Sequence, residues 1–240
     1  MTELYRNSGL EIYEKSHYSH GEHITEVEQI LRWYRRRKAR VLDIGCSGGL
    51  HALEFSKRGF PVTGMDIEPS AIKLAKKRAS SGNQKAKFLV LDIGKDELPC
   101  AEKFDFIYSI GNVLSHVKKD HIFEVLKKIC DCLDEKGILL FDVLMNSKPF
   151  QEELYPKENE LQIIWKRKID EKTGRISMDG IFLESGFIQH FDVWGYTVEE
   201  ITRILNSLGF GKVEYSPKLD FISKNKTKNT ISLYFRAERT

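Results

Sequence analysis

The stretch "VLDIGCSGG" at residues 41–49 sets one acid, Asp43, ahead of a turn built from Gly45, Cys46, Ser47, Gly48 and Gly49. Small residues there let a ligand approach the backbone, and a helix that follows would offer it free N–H groups. Two phosphate-binding readings fail on spacing. A P-loop needs Lys and then Ser or Thr after its second glycine, where Leu50 and His51 stand. The dinucleotide pattern G-x-G-x-x-G started at Gly45 needs glycines at positions that hold Ser47 and Leu50.

Two more acids end apolar runs: Asp66 closes "PVTGMD" and Asp92 closes "KFLVLD". Carboxyl ends of adjacent parallel strands line one crevice, so the three acids are expected to share a ligand. Asp66 would accept hydrogen bonds from both hydroxyls of a ribose, and Asp92 from a purine amino group. An anionic crevice disfavours pyrophosphate and suits a sulfonium, an ammonium and hydroxyls.

The elements that must position these groups follow from periodicity. Helical spacing covers 24–38, "LHALEFSKRGF", "PSAIKLAKKRA" and "HIFEVLKKICDCL", alternating with the buried-type strands "VLDIG", "PVTGMD", "KFLVLD", "FDFIYSI" and "GILLFDV". That order predicts a parallel sheet covered on both faces. After about residue 150, "LQIIWKRKID", "RISMDGIFLES" and "GFIQHFDVW" read as antiparallel strands, with a turn at Thr173–Gly174. "TVEEITRILNSLGF" returns to helix with a capping box at Thr197 and Glu200, and "KVEYS" and "TISLYFRAE" end the chain as strands. The expected fold is a doubly wound α/β domain with a mostly parallel seven-stranded sheet, residues 1–148 and 196–240. A small antiparallel β insertion, 149–195, would cap the substrate.

In order and spacing, residues 38–145 resemble the class I S-adenosylmethionine-dependent methyltransferases. "YTVEEITRILNSLGF" is similar to a later helix of many members. The family's turn reads D-x-G-x-G-x-G; Gly45 and Gly49 match, and Ser47 replaces the middle glycine. The resemblance implies S-adenosylmethionine as cofactor, with Asp66 on the ribose diol, Asp92 on the adenine amino group, and Ile67 and Ile93 flanking the ring. The implied cofactor set is Asp43, Gly45, Cys46, Ser47, Gly49, Asp66, Ile67, Asp92, Ile93, Ser109 and Tyr18.

"SIGNVLSHV", 109–117, holds the position where the family places substrate-facing groups. It lacks the D/N-P-P-Y/F stretch of purine- and glutamine-N-methylating relatives. Pro99–Cys100 resembles a cytosine-C5 nucleophile but precedes the fourth strand. "GNVLSH" is similar to G-N-S-x-x-H of glycine and sarcosine N-methyltransferase relatives, which makes Asn112 and His116 the catalytic candidates. Asn112 would bind the methionine part or the substrate, and His116 would accept a proton, since imidazole titrates near neutrality. Tyr13 and Tyr18, in "YEKSHYSHGEH", are expected lid residues. In the insertion, Trp165, Phe182, Phe191 and Trp194 would form an apolar face, with Arg167 and His190 reaching an anionic substrate.

Composition narrows the function further. With 240 residues, 41% hydrophobic and 30% charged, and a net charge of +3, the chain reads as globular and gives nucleic acid little electrostatic pull. The basic run "RRRKAR" is expected to complement a helix C-terminus. No run approaches the roughly 20 apolar residues of a membrane span, and the polar first residues argue against a secretion signal. Cys46, Cys100, Cys130 and Cys132 show no zinc spacing, so no metal is expected, and reduced thiols in the cytoplasm are. The leading expectation is methyl transfer to a small molecule by in-line displacement, with a homodimer as the candidate assembly. The alternatives are a tRNA or rRNA methyltransferase, a noncatalytic S-adenosylmethionine-binding protein and, last, a nicotinamide dehydrogenase.

Overall fold

The computed structural model describes residues 7–18, 20–36, 38–146, 150–155, 163–183, 186–221 and 231–239. The alternation read from the sequence closes into one seven-stranded sheet. Its parallel strands are β1 (Val41–Ile44), β2 (Val62–Asp66), β3 (Lys87–Val90), β4 (Phe104–Ser109) and β5 (Leu133–Leu144). Two antiparallel strands, β10 (Phe210–Ser216) and β11 (Ser232–Arg239), extend it beside β5, giving the order β10-β11-β5-β4-β1-β2-β3. The reversal of direction between β1→β2→β3 and β1→β4→β5 leaves a crevice at the carboxyl ends of the strands.

Helices cover both faces. α2 (Glu22–Trp33), α3 (Leu50–Lys57) and α4 (Pro69–Ser81) pack on one side, around Phe55, Phe106 and Tyr108. On the other side α5 (Ile122–Cys132) and α6 (Val198–Ser207) pack around Leu126, Ile129 and Phe141. Pro69 stands in the first turn of α4, where its missing N–H is harmless, and Glu68 caps the helix by accepting from the Ser70 amide at 3.2 Å. The Thr197–Glu200 capping box is formed as expected.

The structure adds or corrects several features. A helix, α1 (Asn7–Tyr18), precedes α2. α2 stops at Trp33, short of residue 38, because Tyr34 turns extended and stacks on Phe106 at 4.5 Å between centroids. The basic run therefore does not end a helix: Arg36 donates to the Lys136 carbonyl, and Arg40 pairs with Glu102. Cys100 and Cys132 are joined as a disulfide, with Cα atoms 4.9 Å apart, against the expectation of four reduced thiols; Cys46 and Cys130 are free and buried. Among the described residues, no helix is long and apolar enough to cross a membrane.

The segment after β5 forms a second, four-stranded antiparallel sheet: β6 (Phe150–Tyr155), β7 (Ile163–Asp170), β8 (Arg175–Phe182) and β9 (Phe187–Trp194). The sequence reading contained its last three strands. Pairing of Arg167 with Met178, and of Met178 with Phe191, puts these residues on one face with Trp165, Phe182 and Gln189. Trp194 falls on the other face, by parity, and joins the core beside α5 and α6. His190 also faces away, is 65% exposed and pairs with Asp179, so it does not accompany the buried Arg167.

Candidate active site

The three strand-end acids open into one cavity of about 840 Å³ at the carboxyl ends of the sheet. Asp43, on a strand buried throughout, is 3% exposed and accepts a hydrogen bond from the Tyr108 hydroxyl at 2.8 Å. Burial pushes its pKa up to about 7, against the opposing pull of His51 and of the Tyr108 bond. Asp66 anchors the glycine turn. Its Oδ2 accepts from the Ser47 amide and its Oδ1 from the Glu68 amide, both at 2.9 Å. An ionised carboxylate has about four acceptor positions, so Asp66 keeps capacity toward the cavity, while burial raises its pKa.

The turn explains its own composition. Gly45 has φ +76°, and a Cβ there would come within 2.5 Å of Val113. Gly49 has φ +80° and caps α3; a Cβ would meet Ala75 and Phe88 at 2.9 Å. Gly49 therefore serves the turn and its packing and does not line the cavity. Ser47 adopts the left-handed conformation that the absent glycine would take, at φ +49°. Cys46 lines the cavity as well, and burial pushes its thiol pKa well up.

Asp92 lies just beyond β3, half-buried, accepting from the Gly94 amide at 2.9 Å and pairing with Lys95 at 3.2 Å. Ile67, 42% exposed, and Ile93 line the same region. Ser109 is fully buried and donates to the Ile44 carbonyl at 3.0 Å, tying β4 to β1 behind the cavity. Asn112 does not line the cavity; its Oδ1 accepts from the Ser232 hydroxyl at 2.8 Å.

His116 ends a short 3-10 turn (Val113–His116) and opens into the cavity. Its ring stacks on Phe191 of β9, 5.6 Å between centroids, which brings the second sheet against the site. Protein surrounds the imidazole on its other sides, and that desolvation holds its pKa down, at about 4. It is neutral at physiological pH.

α1 supplies part of the cavity wall through Tyr13, Glu14 and Tyr18. Tyr18 lies edge-on to His51, 5.4 Å between centroids, and His51 is joined to Glu26 of α2 by a 2.6 Å contact from its Nε2. His51 lines the cavity yet entered the sequence reading only as a residue that excludes a P-loop. Glu14 and its partner Arg78 went unread too, as did Tyr108. These pairs lie 25 to 65 positions apart, so no local spacing marks them.

Comparisons with known proteins bear on the domain and the fold. The profile of a methyltransferase domain matches residues 41–137. The chain is 25% identical over 227 residues to a putative methyltransferase, YqeM, from Bacillus subtilis, covering 89% of this chain and 90% of that protein. It is 31% identical over 158 residues to a tRNA U34 carboxymethyltransferase from Vibrio vulnificus, covering 60% of this chain but 46% of that one. The fold matches an S-adenosylmethionine-bound amino pentose methyltransferase from Micromonospora echinaspora, with a TM-score of 0.68, 19% identity and coverage of 92% and 91% of the two chains. Residues 41–137 thus form a methyltransferase domain, with S-adenosylmethionine as its cofactor.

Proposed function

We propose that the protein methylates a small-molecule acceptor, with the donor held by Asp43, Asp66, Asp92 and the Gly45–Gly49 turn. The observation that carries this reading is the shared cavity and its size. The three acids and His116 open into one cavity, α1 forms part of its wall, and about 840 Å³ falls within the roughly 300–1,000 Å³ of small-molecule sites. The amino pentose enzyme with the matching fold supports an acceptor of that size.

The residues suit the donor's chemistry. Asp66 retains acceptor capacity for the ribose diol, and Ile67 and Ile93 offer apolar surface beside Asp92 for a purine. Asp43 and Asp66 set a negative field where a cation is to lie. Bound S-adenosylmethionine supplies an electrophilic methyl group on a sulfonium. The chain then has to orient the acceptor in line and exclude water, and positioning of this kind supplies much of the rate. His116, neutral at physiological pH, lines the same cavity. The second sheet reaches the site through Phe191, which stacks on His116 from behind the cavity wall.

A second reading, an RNA acceptor, is favoured by the Vibrio relative. Arg35, Arg36 and Arg40 lend it nothing: they precede β1 at the amino ends of the strands, opposite the cavity. The deciding experiment incubates the protein with methyl-labelled donor and either a metabolite extract or total transfer RNA. Label in a metabolite supports the proposal. Label in RNA, with salt-sensitive RNA binding, replaces it with the second reading.

A further inference from the structure

At the carboxyl end of β4 the chain takes two consecutive left-handed residues, Gly111 at φ +96° and Asn112 at φ +59°. A side chain in that conformation is strained, and such strain persists only where the surroundings enforce it. Asp142, in β5 and 3% exposed, is the enforcing group. Its Oδ1 accepts from the Asn112 amide at 2.8 Å, and the Gly111 amide bonds the same carboxylate. Ser232 of β11 secures the other side of the turn, donating to Asn112 Oδ1 at 2.8 Å and lying 3.4 Å from Asp142 Oδ2. Two residues further along β5, the Leu144 amide donates to Ser115 Oγ at 2.9 Å and holds the 3-10 turn that carries His116.

The sheet order gives this clamp a place in the site. β4 lies on one side of β1, while β2 and β3, with Asp66 and Asp92 at their ends, lie on the other. Ile110 and Gly111 line the cavity, whereas the Asp142 carboxylate stands behind them. A donor whose adenosine rested over β2 and β3 would extend across β1 toward the residues at the end of β4. Resting on the proposed roles of Asp66 and Asp92, we propose that Asp142 is a positioning residue, fixing the Gly111–Asn112 turn against the amino-acid end of the bound donor. The carboxylate accepts from both turn amides with its full charge; the neutral amide oxygen of an asparagine accepts more weakly.

Two ligands separate this role from a merely structural one. S-adenosylhomocysteine and 5′-methylthioadenosine share adenosine and sulfur, and only the first carries the amino acid. By calorimetry, Asp142→Asn is expected to weaken S-adenosylhomocysteine by about tenfold or more, as loss of a charged hydrogen bond does, and to leave 5′-methylthioadenosine within about twofold. Ser232→Ala, which keeps the carboxylate, is expected to cost about threefold with the same selectivity, and it decides the matter if Asp142→Asn fails to fold. Equal losses for both ligands, or no loss for either, overturn the proposal. A wild-type protein that binds neither ligand removes the donor reading of Asp66 and Asp92, and this inference with it.

Discussion

The Arg78 guanidinium joins α4 to Glu14 of α1 by two hydrogen bonds, of 2.9 and 2.6 Å, and donates a third, at 2.9 Å, to the carbonyl of Gly48. One side chain thus fastens the helix that walls the cavity to the turn that builds its floor. Bidentate geometry makes this a strong pairing, and Glu14 is nearly buried while Arg78 is about one-third exposed. Arg78→Ala strands the Glu14 carboxylate and is expected to lower stability by about 1–3 kcal/mol. It should also weaken S-adenosylhomocysteine, because α1 loses its tether. Thermal unfolding and calorimetry measure both effects, and a double variant with Glu14→Gln tests coupling. Additive losses in the double variant would show that the two residues act separately.

Asp66 faces both ways, holding the Ser47 and Glu68 amides and lining the cavity. Asp66→Ala is expected to weaken the donor by tenfold or more, which is about 1.4 kcal/mol. Asp66→Asn should lose less of the turn and still lose an acceptor for the ribose. Donor affinity unchanged in both variants would sink the role proposed for this residue.

Burial sets a pH dependence at Asp43, whose pKa stands near 7 in the empty site. A cationic ligand beside it favours the anion and lowers that pKa, so the free protein holds more protons than the complex between the two values. Binding therefore releases protons near pH 6.5, and affinity rises as the pH climbs through 7. Calorimetry of S-adenosylmethionine in two buffers of different ionisation enthalpy reads the release directly. Asp43→Asn should abolish it; identical heats in both buffers for the wild type would contradict the assignment. The stability of the empty protein runs the opposite way for this group. Its folded pKa is raised, so its contribution is full below the unfolded value of about 4 and is lost as the pH rises through 7.

Much of this was legible in the sequence because it rests on local regularity. Apolar runs of strand length alternating with helical spacing define the parallel sheet, and an acid at the end of a strand stays at the end of that strand. Asp43, Asp66 and Asp92 could therefore be placed in one crevice without coordinates. Contacts across the fold left no such mark. Arg78 reaches Glu14 over 64 positions, and Asp142 reaches Asn112 over 30. α2 ends before Arg35 and Arg36 because burial of Tyr34 against Phe106 outweighs their helix-forming tendency. His190 and Arg167 looked alike as polar residues among aromatics, yet strand parity sends them to opposite faces.

Ser47 offers the sharpest test of how the glycine turn divides stability from binding. Its φ of +49° is a conformation that glycine adopts without strain and serine does not, at roughly 1–2 kcal/mol for a side-chain-bearing residue. Its hydroxyl oxygen is also buried with no hydrogen-bond partner among the described residues, a further cost. Glycine loses more chain entropy on folding, which offsets part of the gain. Ser47→Gly is therefore expected to raise the stability of the empty protein by about 0.5–1 kcal/mol, or roughly 1–4 °C at this chain length. The buried hydroxyl lies in a residue that lines the cavity, so its partner is expected to be the ligand. The same variant should then bind S-adenosylhomocysteine about three- to tenfold more weakly, the value of one hydrogen bond. Differential scanning calorimetry and ligand titration on one preparation give both numbers. A variant that is less stable than the wild type, or equally tight for the ligand, would show that Ser47 is neither strained by the turn nor engaged by what binds there.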